Sequence, residues 1–597
     1  MGWITLTFDP LHSRGIRPCQ ADHSVGDVQM PYRAPIRDFR FLLDHVVGFA
    51  EVAGTDRFAD ATPDMTGAIL TEAGKMCADI LAPLNQIGDK NPAHLDNGIV
   101  RTPPGFPDGY RAIATGGWIG MSAATEHGGM GLPMTLTTIV NEMMSGACLA
   151  LQLNPLMTQG QIEALEHHAS DAIKSVYLPK LISGEWCGTM NLTEPQAGSD
   201  VGALRTKAEP NGDGTYAITG QKIYISWADN DFTANVCHLV LARLPGANPG
   251  TKGISLFMVP KLIPDADGNP GRKNDLRVVS LEHKMGLHGS PTAVMEYAGA
   301  TGWLVGPEHG GMAAMFTMMN NARLGVGMQG IGTAERALQH ALAYAQDRKQ
   351  GRADGTGAII EHADVRRMLT TMRADIYAAR AIALMNAVAI DMATATHDPA
   401  WTARAAFLTP ITKAFGTDVG VEATNTGVQI HGGMGFIEET GAAQFVRDVR
   451  VSTIYEGTNG IQAMDLVARK LMDGGDAAFR LLDDVVRGAE AAKATHPDLA
   501  HAVWEAAETL REATEWLVGR PDLNDRFAGA VPYLRAFARV LGGHVHLASA
   551  MAGDTGHLRL ATFYIKRMLP EYLGLLIHVR EGAADLAAIT ADDLAAA

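Results

Sequence analysis

The periodicity of the apolar residues changes twice along this chain, and that order constrains the fold more than any other feature. Apolar residues recur at helical spacing through residues 36–184, for example at Phe39, Leu42, Leu43 and Val46. Short strand patterns bounded by Gly, Asn and Pro clusters follow, at residues 215–219, 224–226, 236–244, 254–259 and 293–297. Such strands predict a compact antiparallel sheet or barrel, because a doubly wound sheet needs helices between its strands.

Helical patterns return near Met312 and continue beyond Thr458. Pro410 is predicted to kink or break one of these helices, which covers roughly residues 400–429. The predicted fold class is therefore mainly α with a central β domain: a helical bundle, a β-barrel-like domain, a second bundle and a C-terminal helical extension. Residues 1–29 are predicted to be a disordered or non-native tail before a start at Met30. The predicted domains are then a helical N-terminal domain (30–184), a middle β domain (185–305), a four-helix-type catalytic domain (306–476) and an additional helical domain (477–597).

Composition and charge restrict the classes of function. The 597 residues are too many for one hydrophobic core, and 47% hydrophobic with 19% charged residues is typical of globular proteins. A net charge of −16 is unfavourable for general nucleic-acid binding, although a local basic patch can still hold an anionic ligand. The five cysteines lack paired spacing, which predicts reduced thiols in a cytoplasmic protein. No membrane partner and no metal site are expected.

A lone carboxylate, Glu456, follows a β-branched run that begins at Val451. Gly457 comes directly after it. This pattern predicts a strand or extended loop that delivers Glu456 to a helix N-terminus, where free N–H groups and the helix dipole favour anions. Two interpretations stay open on the local sequence. Glu456 is either a helix-start acid that stabilises through the dipole, or a carboxylate that faces a ligand where Gly457 allows close backbone approach.

Four motifs in order favour the second interpretation. They cover residues 190–200, 220–226, 429–436 and 451–462, and together they resemble the acyl-CoA dehydrogenase family over roughly residues 60–475. The family consists of FAD-dependent enzymes that introduce a Cα–Cβ double bond into an acyl thioester. The resemblance implies that Glu456 is the catalytic base, and a desolvated Glu has a raised pKa that suits it to accept the α-proton.

The resemblance also implies roles for other residues. Ser199 matches a residue that contacts both the FAD pyrophosphate and the CoA arm, and the backbone N–H of Glu456 matches a donor to the thioester oxygen. Arg348 matches an arginine that reaches the FAD of a neighbouring subunit. The implied FAD-binding residues are Met190, Leu192, Thr193, Gly198, Ser199, Tyr224, Ser226, Arg348, Gln429, Gly433 and Thr458, and the implied substrate-binding residues are Ser199, Asn320, Arg323, Tyr455 and Gly457.

Some positions depart from the family pattern. Tyr224 stands where many members have Trp, and Asn320 stands where they more often have Asp. Gly351 follows the segment of Arg348 where an aromatic residue is usual, so the contacts on the adenine side of FAD are not fixed by the resemblance.

The finer resemblance is to long bacterial members with a C-terminal extension. It implies a short acyl-CoA substrate, 3-methylmercaptopropionyl-CoA of dimethylsulfoniopropionate breakdown slightly ahead of straight chains. It also implies an electron-transfer flavoprotein as electron acceptor and a homodimer or homotetramer with shared FAD sites. The alternatives are a medium- or long-chain dehydrogenase of fatty-acid β-oxidation, an acyl-CoA oxidase on the same fold, and a catalytically silent assembly protein.

Overall fold

The computed structural model describes residues 32–351 and 355–595, so the predicted tail at residues 1–29 lies outside the described residues. The N-terminal region is helical as predicted, with a small unpredicted hairpin formed by β1 (His94–Asp96) and β2 (Ile99–Arg101). The helices of this region are α1 (Ile36–His45), α2 (Phe49–Ala53), α3 (Pro63–Met76), α4 (Leu84–Lys90), α5 (Phe106–Thr115), α6 (Met134–His168) and α7 (Asp171–Ile182).

A break at Ser170 separates α6 from α7. Ser170 has extended backbone angles (φ −68°, ψ 156°), and its side chain accepts the N–H of Ile173 at 3.4 Å. This N-cap starts a new helix and ends the long one. Within α6 the helix departs from helical geometry at Cys148 (φ −153°, ψ 89°).

The middle region is a β domain in which five strands close into a ring. Pairing runs β11–β5–β4–β6–β7 and back to β11, which confirms the predicted barrel-like architecture. Most strand pairs are antiparallel, as expected, but β3 and β4 each pair in parallel with β6. The strands are β3 (Trp186–Asn191), β4 (Lys207–Pro210), β5 (Tyr216–Ser226), β6 (Asn235–Arg243), β7 (Ile254–Pro260), β8 (Leu262–Pro264), β9 (Pro270–Lys273), β10 (Leu276–Leu281) and β11 (Thr292–Val305).

Side chains from facing strands fill the barrel. Ile218, Val240, Phe257 and Tyr297 are buried in one cluster that is separate from the helical core. The barrel therefore has its own hydrophobic core, and its outer strand β3 leads from the N-terminal helices into the site described below.

The C-terminal bundle is built from α8 (Gly311–Asp347), α9 (Ala363–Thr396), α10 (Pro399–His431), α11 (Ala442–Val449) and α12 (Asn459–Ala468). Pro410 lies inside α10 without ending it. Phe407, Leu408 and Ile411 around it are fully buried, so tertiary packing offsets the cost of a proline in a helix interior.

The extension packs on this bundle within the same chain. Its helices are α13 (Asp476–Ala492), α14 (Pro497–Val518), α15 (Leu523–Ala528), α16 (Ala530–Ala552), α17 (Thr555–Arg567), α18 (Glu571–Glu581), α19 (Ala584–Ala588) and α20 (Ala591–Ala595). Arg539 on α16 forms a buried ion pair with Asp375 on α9, and the hydroxyl groups of Tyr377 and Ser549 are hydrogen-bonded at 2.8 Å.

Two helices, α6 and α9, are long and apolar enough to cross a bilayer by composition. The most apolar windows of these helices are 94% and 89% buried inside the protein. They are therefore core helices of the folded chain.

Candidate active site

Glu456 lies in a short loop between a 3-10 turn, Arg450–Thr453, and helix α12. The segment before it is neither the strand nor the extended loop that was predicted: the N–H groups of Ile454 and Tyr455 donate to the carbonyl of Val451 at 2.8 and 3.1 Å, which closes a turn. A strand needs a neighbouring strand, and this segment lies among helices, so tertiary context overrides its β propensity.

The predicted helix N-terminus directly after Glu456 is present. The Thr458 hydroxyl accepts the N–H of Ile461 at 3.3 Å and caps α12. Glu456 and Gly457 both have left-handed backbone angles, with φ of 56° and 81°. A left-handed non-glycine residue is strained, and such strain persists only where surrounding contacts fix it.

Side chains on α8 and α12 are among those that fix this turn. The carbonyl of Glu456 accepts Gln462 Nε2 at 3.0 Å and Arg323 Nε at 3.4 Å. A Cβ added to Gly457 would lie 2.8 Å from Gln462 Nε2, so the turn requires glycine there. The Tyr455 hydroxyl donates to Gln329 Oε1, which anchors the preceding residue on α8.

The Glu456 carboxyl group is held in an unusual state for a glutamate. The residue is half-buried overall, but its Oε2 atom is inaccessible to solvent and has no hydrogen-bond partner within the described chain. Burial raises the pKa of Glu456 to about 7, against the opposing charges of Arg323 and Lys413. A carboxylate with a pKa near neutrality is well matched to general-base catalysis.

The backbone N–H of Glu456 has no acceptor among the residues that the structure describes. A donor of this kind, fixed beside a buried base, can bind an oxygen that gains negative charge. The loop therefore presents a base and an oxyanion donor from one residue.

Helix α8 brings the predicted substrate pair to the same loop. Arg323 is buried beside Glu456, and its Nη1 lies 3.4 Å from Oδ1 of Asn320, which is exposed. This arrangement offers a cation and an amide at the mouth of the site, which suits a ligand with amide and phosphate groups.

A second group of predicted residues lies where β3 and β5 meet. The N–H of Ile223 donates to the carbonyl of Thr193 at 2.9 Å, which places the segment from Met190 to Thr193 beside Tyr224 and Ser226. Tyr224 is strained at φ 59° and 62% exposed, so its ring has an uncovered face.

These residues fit a flat aromatic cofactor such as the flavin ring. Met190 and Thr193 are half-buried, Leu192 is 9% exposed, and Tyr224 adds an open aromatic surface. A Cβ at Gly198 would meet no atom within 4 Å, so the backbone there is open to close approach by a ligand. Ser199 beside it is exposed.

A third group does not join the others within one chain. Arg348 follows the end of α8, 25 residues beyond Arg323, and a helical rise of about 1.5 Å per residue separates them by about 37 Å. Gln429 and Gly433 lie at the same end of the bundle as Arg348, because His431 stacks on Tyr344 at a ring distance of 4.5 Å. Arg348, Gln429 and Gly433 are all exposed.

The sequence reasoning missed several residues of this site. Gln462 and Lys413 bind the loop that carries Glu456. A buried ion pair of Lys222 with Glu194 (2.8 Å) supports the segment from Met190 to Thr193, because Lys222 also donates to the carbonyl of Leu192 at 2.9 Å. A signal existed for Lys413, which is a single charge within an apolar helical run.

Family models agree with this geometry. The N-terminal, middle and C-terminal domains of acyl-CoA dehydrogenase match residues 91–185, 189–299 and 309–472, and an acetyl-CoA dehydrogenase C-terminal-like domain matches residues 481–590. The chain belongs to the acyl-CoA dehydrogenase family. Membership confirms the predicted family, fold, FAD cofactor and enzyme class, an oxidoreductase acting on acyl-CoA.

Individual relatives of this acyl-CoA dehydrogenase extend over nearly its whole length. The 3-methylmercaptopropionyl-CoA dehydrogenase of Ruegeria pomeroyi is 44% identical over 88% of this chain and 92% of that protein. A butyryl-CoA dehydrogenase of Syntrophomonas wolfei is 32% identical over 91% of this chain and 96% of that protein.

Solved structures share the fold. Caenorhabditis elegans ACDH-11, in complex with C11-CoA, superimposes with a TM-score of 0.77 at 19% identity, covering 90% of this chain and 92% of that one. Acyl-CoA dehydrogenase from Bacillus anthracis, complexed with FAD, gives a TM-score of 0.70 at 20% identity and covers 93% of each chain.

Proposed function

We propose that this enzyme dehydrogenates a short acyl-CoA thioester between Cα and Cβ, with 3-methylmercaptopropionyl-CoA as the preferred substrate. The main support for this reaction is the Glu456 carboxyl group. Its Oε2 atom is buried and unpaired within the described chain, and burial raises the pKa of Glu456 to about 7. The relative that is 44% identical and named for the methylthio substrate supports the substrate assignment.

The residues of the loop and of the adjoining part of α8 have distinct roles in this proposal. The Glu456 carboxylate accepts the α-proton of the thioester, and the Glu456 N–H donates to the thioester oxygen as negative charge develops there. Bound FAD supplies the acceptor for the β-hydride. Arg323 and Asn320 hold the CoA portion, while Tyr455 and Gly457 shape the entrance to the base.

Residues around the β domain bind and orient the cofactor in this proposal. Met190, Leu192, Thr193, Tyr224 and Ser226 contact the ring. Gly198 and Ser199 contact the pyrophosphate, and Thr458 is a further FAD contact. Arg348, Gln429 and Gly433 reach the FAD of a neighbouring subunit in a homodimer or homotetramer. An electron-transfer flavoprotein in the cytoplasm takes the electrons, as the family resemblance implies.

The test of the reaction is the anaerobic absorption spectrum of the purified protein with a panel of acyl-CoAs. Short thioesters should bleach the flavin in the wild type. Glu456→Gln should retain FAD and bind acyl-CoA but reduce the rate by about 10²–10⁴-fold or more, because no second base replaces it. Near-normal bleaching in this variant would move the base elsewhere, and peroxide production in air would identify an oxidase.

The test of the substrate is kcat/KM for thioesters of four to sixteen carbons beside the methylthio compound. Sulfur contacts contribute roughly 0.3–1.5 kcal/mol, so preference over butyryl-CoA or valeryl-CoA should be about tenfold at most. The relatives named butyryl-CoA dehydrogenases favour a straight short chain as the second candidate. A maximum at long chains, with the methylthio compound unreactive, would instead indicate fatty-acid β-oxidation.

A further inference from the structure

Lys413 lies inside helix α10, and its ammonium group binds the loop that carries Glu456. The whole side chain is inaccessible to solvent. Its Nζ donates to the carbonyl of Gly457 and to Oδ1 of Asn459, each at 2.8 Å. Burying an ammonium group costs free energy unless the group is paired. The hydrogen bonds of Lys413 with the loop therefore offset part of this cost.

The orientation of Asn459 makes this contact specific. Its amide nitrogen donates to Oδ1 of Asp418 at 2.7 Å and to Thr417 Oγ1 at 3.0 Å, which turns its amide oxygen toward Lys413. The carbonyl of Gly457 accepts the lysine from the other side. The ammonium group therefore links the carbonyl of the left-handed turn to the first residue of α12.

Charge links the same groups. The charged neighbours of Glu456 are Arg323 and Lys413, and those of Lys413 are Glu456, Asp418 and Arg323. Burial lowers the pKa of Lys413 to about 7, and the Glu456 carboxylate is the strongest influence opposing that shift. Lys413 in turn opposes the rise in the pKa of Glu456.

We propose that Lys413 is a positioning residue for the base: its hydrogen bonds hold the left-handed turn at Glu456 and Gly457, and its charge favours the ionised carboxylate. This inference rests on the proposed role of Glu456 as base. Arg323 differs from Lys413 because it also lies beside Asn320 at the mouth of the site, whereas Lys413 reaches the loop from behind.

Three variants separate geometry from charge. Lys413→Met removes both the hydrogen bonds and the charge, Lys413→Gln keeps an N–H donor without the charge, and Lys413→Arg keeps the charge. The acid limb of the kcat/KM profile, where activity falls as Glu456 is protonated, should shift to higher pH by about one unit or more in the Met and Gln variants. KM should change little. The Arg variant should keep the wild-type limb, as should the control Lys493→Met in the extension.

An infrared titration of the Glu456 carboxyl group tests the charge without turnover. The band of the protonated carboxyl is assigned by its loss in Glu456→Gln, and its midpoint should lie at higher pH in Lys413→Gln than in the wild type. Should the Met variant fail to retain FAD, the Gln variant decides. An unshifted midpoint and acid limb in Lys413→Gln would overturn the inference. A wild type that reacts with no thioester would refute the proposed function, while the infrared midpoint would still decide on Lys413.

Discussion

The carboxylate of Asp391, on α9, accepts two hydrogen bonds from Thr135 at the start of α6: one from its N–H at 2.9 Å and one from its hydroxyl at 2.6 Å. The N–H of Met134 donates to the same carboxylate at 2.6 Å. A buried side chain of the C-terminal bundle therefore caps the longest helix of the N-terminal region, so that the two regions stabilise each other.

Asp391→Ala should lower the free energy of unfolding by about 2–3 kcal/mol, because it leaves buried donors without an acceptor. The matched control is Asp398→Ala, which removes an exposed cap from α10, where Asp398 accepts the N–H of Ala400 at 2.8 Å, and should cost about 1 kcal/mol. Denaturant unfolding measures both. Equal costs would show that burial adds nothing to this cap.

Substitution within a buried cluster of charges should cost more stability than loss of this cap. Arg380 is fully buried and binds Glu142, Asp38 and Glu335, with nitrogen–oxygen distances of 2.8, 2.9 and 2.8 Å. Arg380→Met leaves the buried Glu142 without its cation, whereas Arg373 still pairs with Asp38 at 2.6 Å, and should cost about 3–5 kcal/mol. Arg37→Ala removes an exposed ion pair with Asp554 and should leave the unfolding midpoint unchanged. A tolerated Arg380→Met would mean that the carboxylates take up protons instead.

The order of helical and β regions was predictable because it depends on local periodicity and turn residues. For example, Gly212 and Gly214 belong to a cluster that bounds a predicted strand, and both have positive φ in the turn between β4 and β5. Strand β3 gave no alternating pattern, because it is buried on both faces and pairs in parallel with β6. Period-based reasoning has no signal for such a strand.

The site was predictable only where a motif is contiguous in sequence. The segment around Glu456 could be found, but its left-handed turn could not, since Lys413, Arg323 and Gln462 fix it from three helices. A lysine in mid-helix is usually solvated, so the isolated position of Lys413 in an apolar run is a signal of burial, but its partners follow only from tertiary packing.

The stability of the wild type relative to Glu456→Gln should fall as pH rises. Burial raises the pKa of Glu456 from 4.5 to about 7, so the folded protein holds this proton more tightly than the unfolded chain does. Ionisation therefore costs stability as the pH rises between these values. Melting temperatures of the two proteins should nearly agree at about pH 5 and differ by a few degrees in favour of Gln at about pH 8. The exposed control Glu209→Gln should show no such trend, and a constant difference for Glu456→Gln would argue against a raised pKa.

Assembly and FAD retention should be coupled. Phe436, at the end of the bundle that carries Arg348 and Gly433, is 86% exposed. Met434 and Ile437 are also exposed, which suits a subunit contact. Phe436→Asp should shift the protein toward monomer in sedimentation experiments and release FAD, and Arg348→Ala should weaken FAD binding without dissociation. Phe436→Tyr, which keeps an aromatic surface, is the control. A demonstrated monomer that retains its cofactor would contradict shared FAD sites.

The left-handed conformation of Glu456 also limits how this position can evolve. Glycine, asparagine and aspartate tolerate such a backbone, whereas a β-branched residue is a genuine outlier there. A descendant freed from selection for dehydrogenation is therefore expected to drift toward Gly, Asn or Asp at this site and to avoid Val and Ile. A catalytically silent paralogue would therefore keep the left-handed conformation of this loop after losing its catalytic function. The residue at this one position would show that it had.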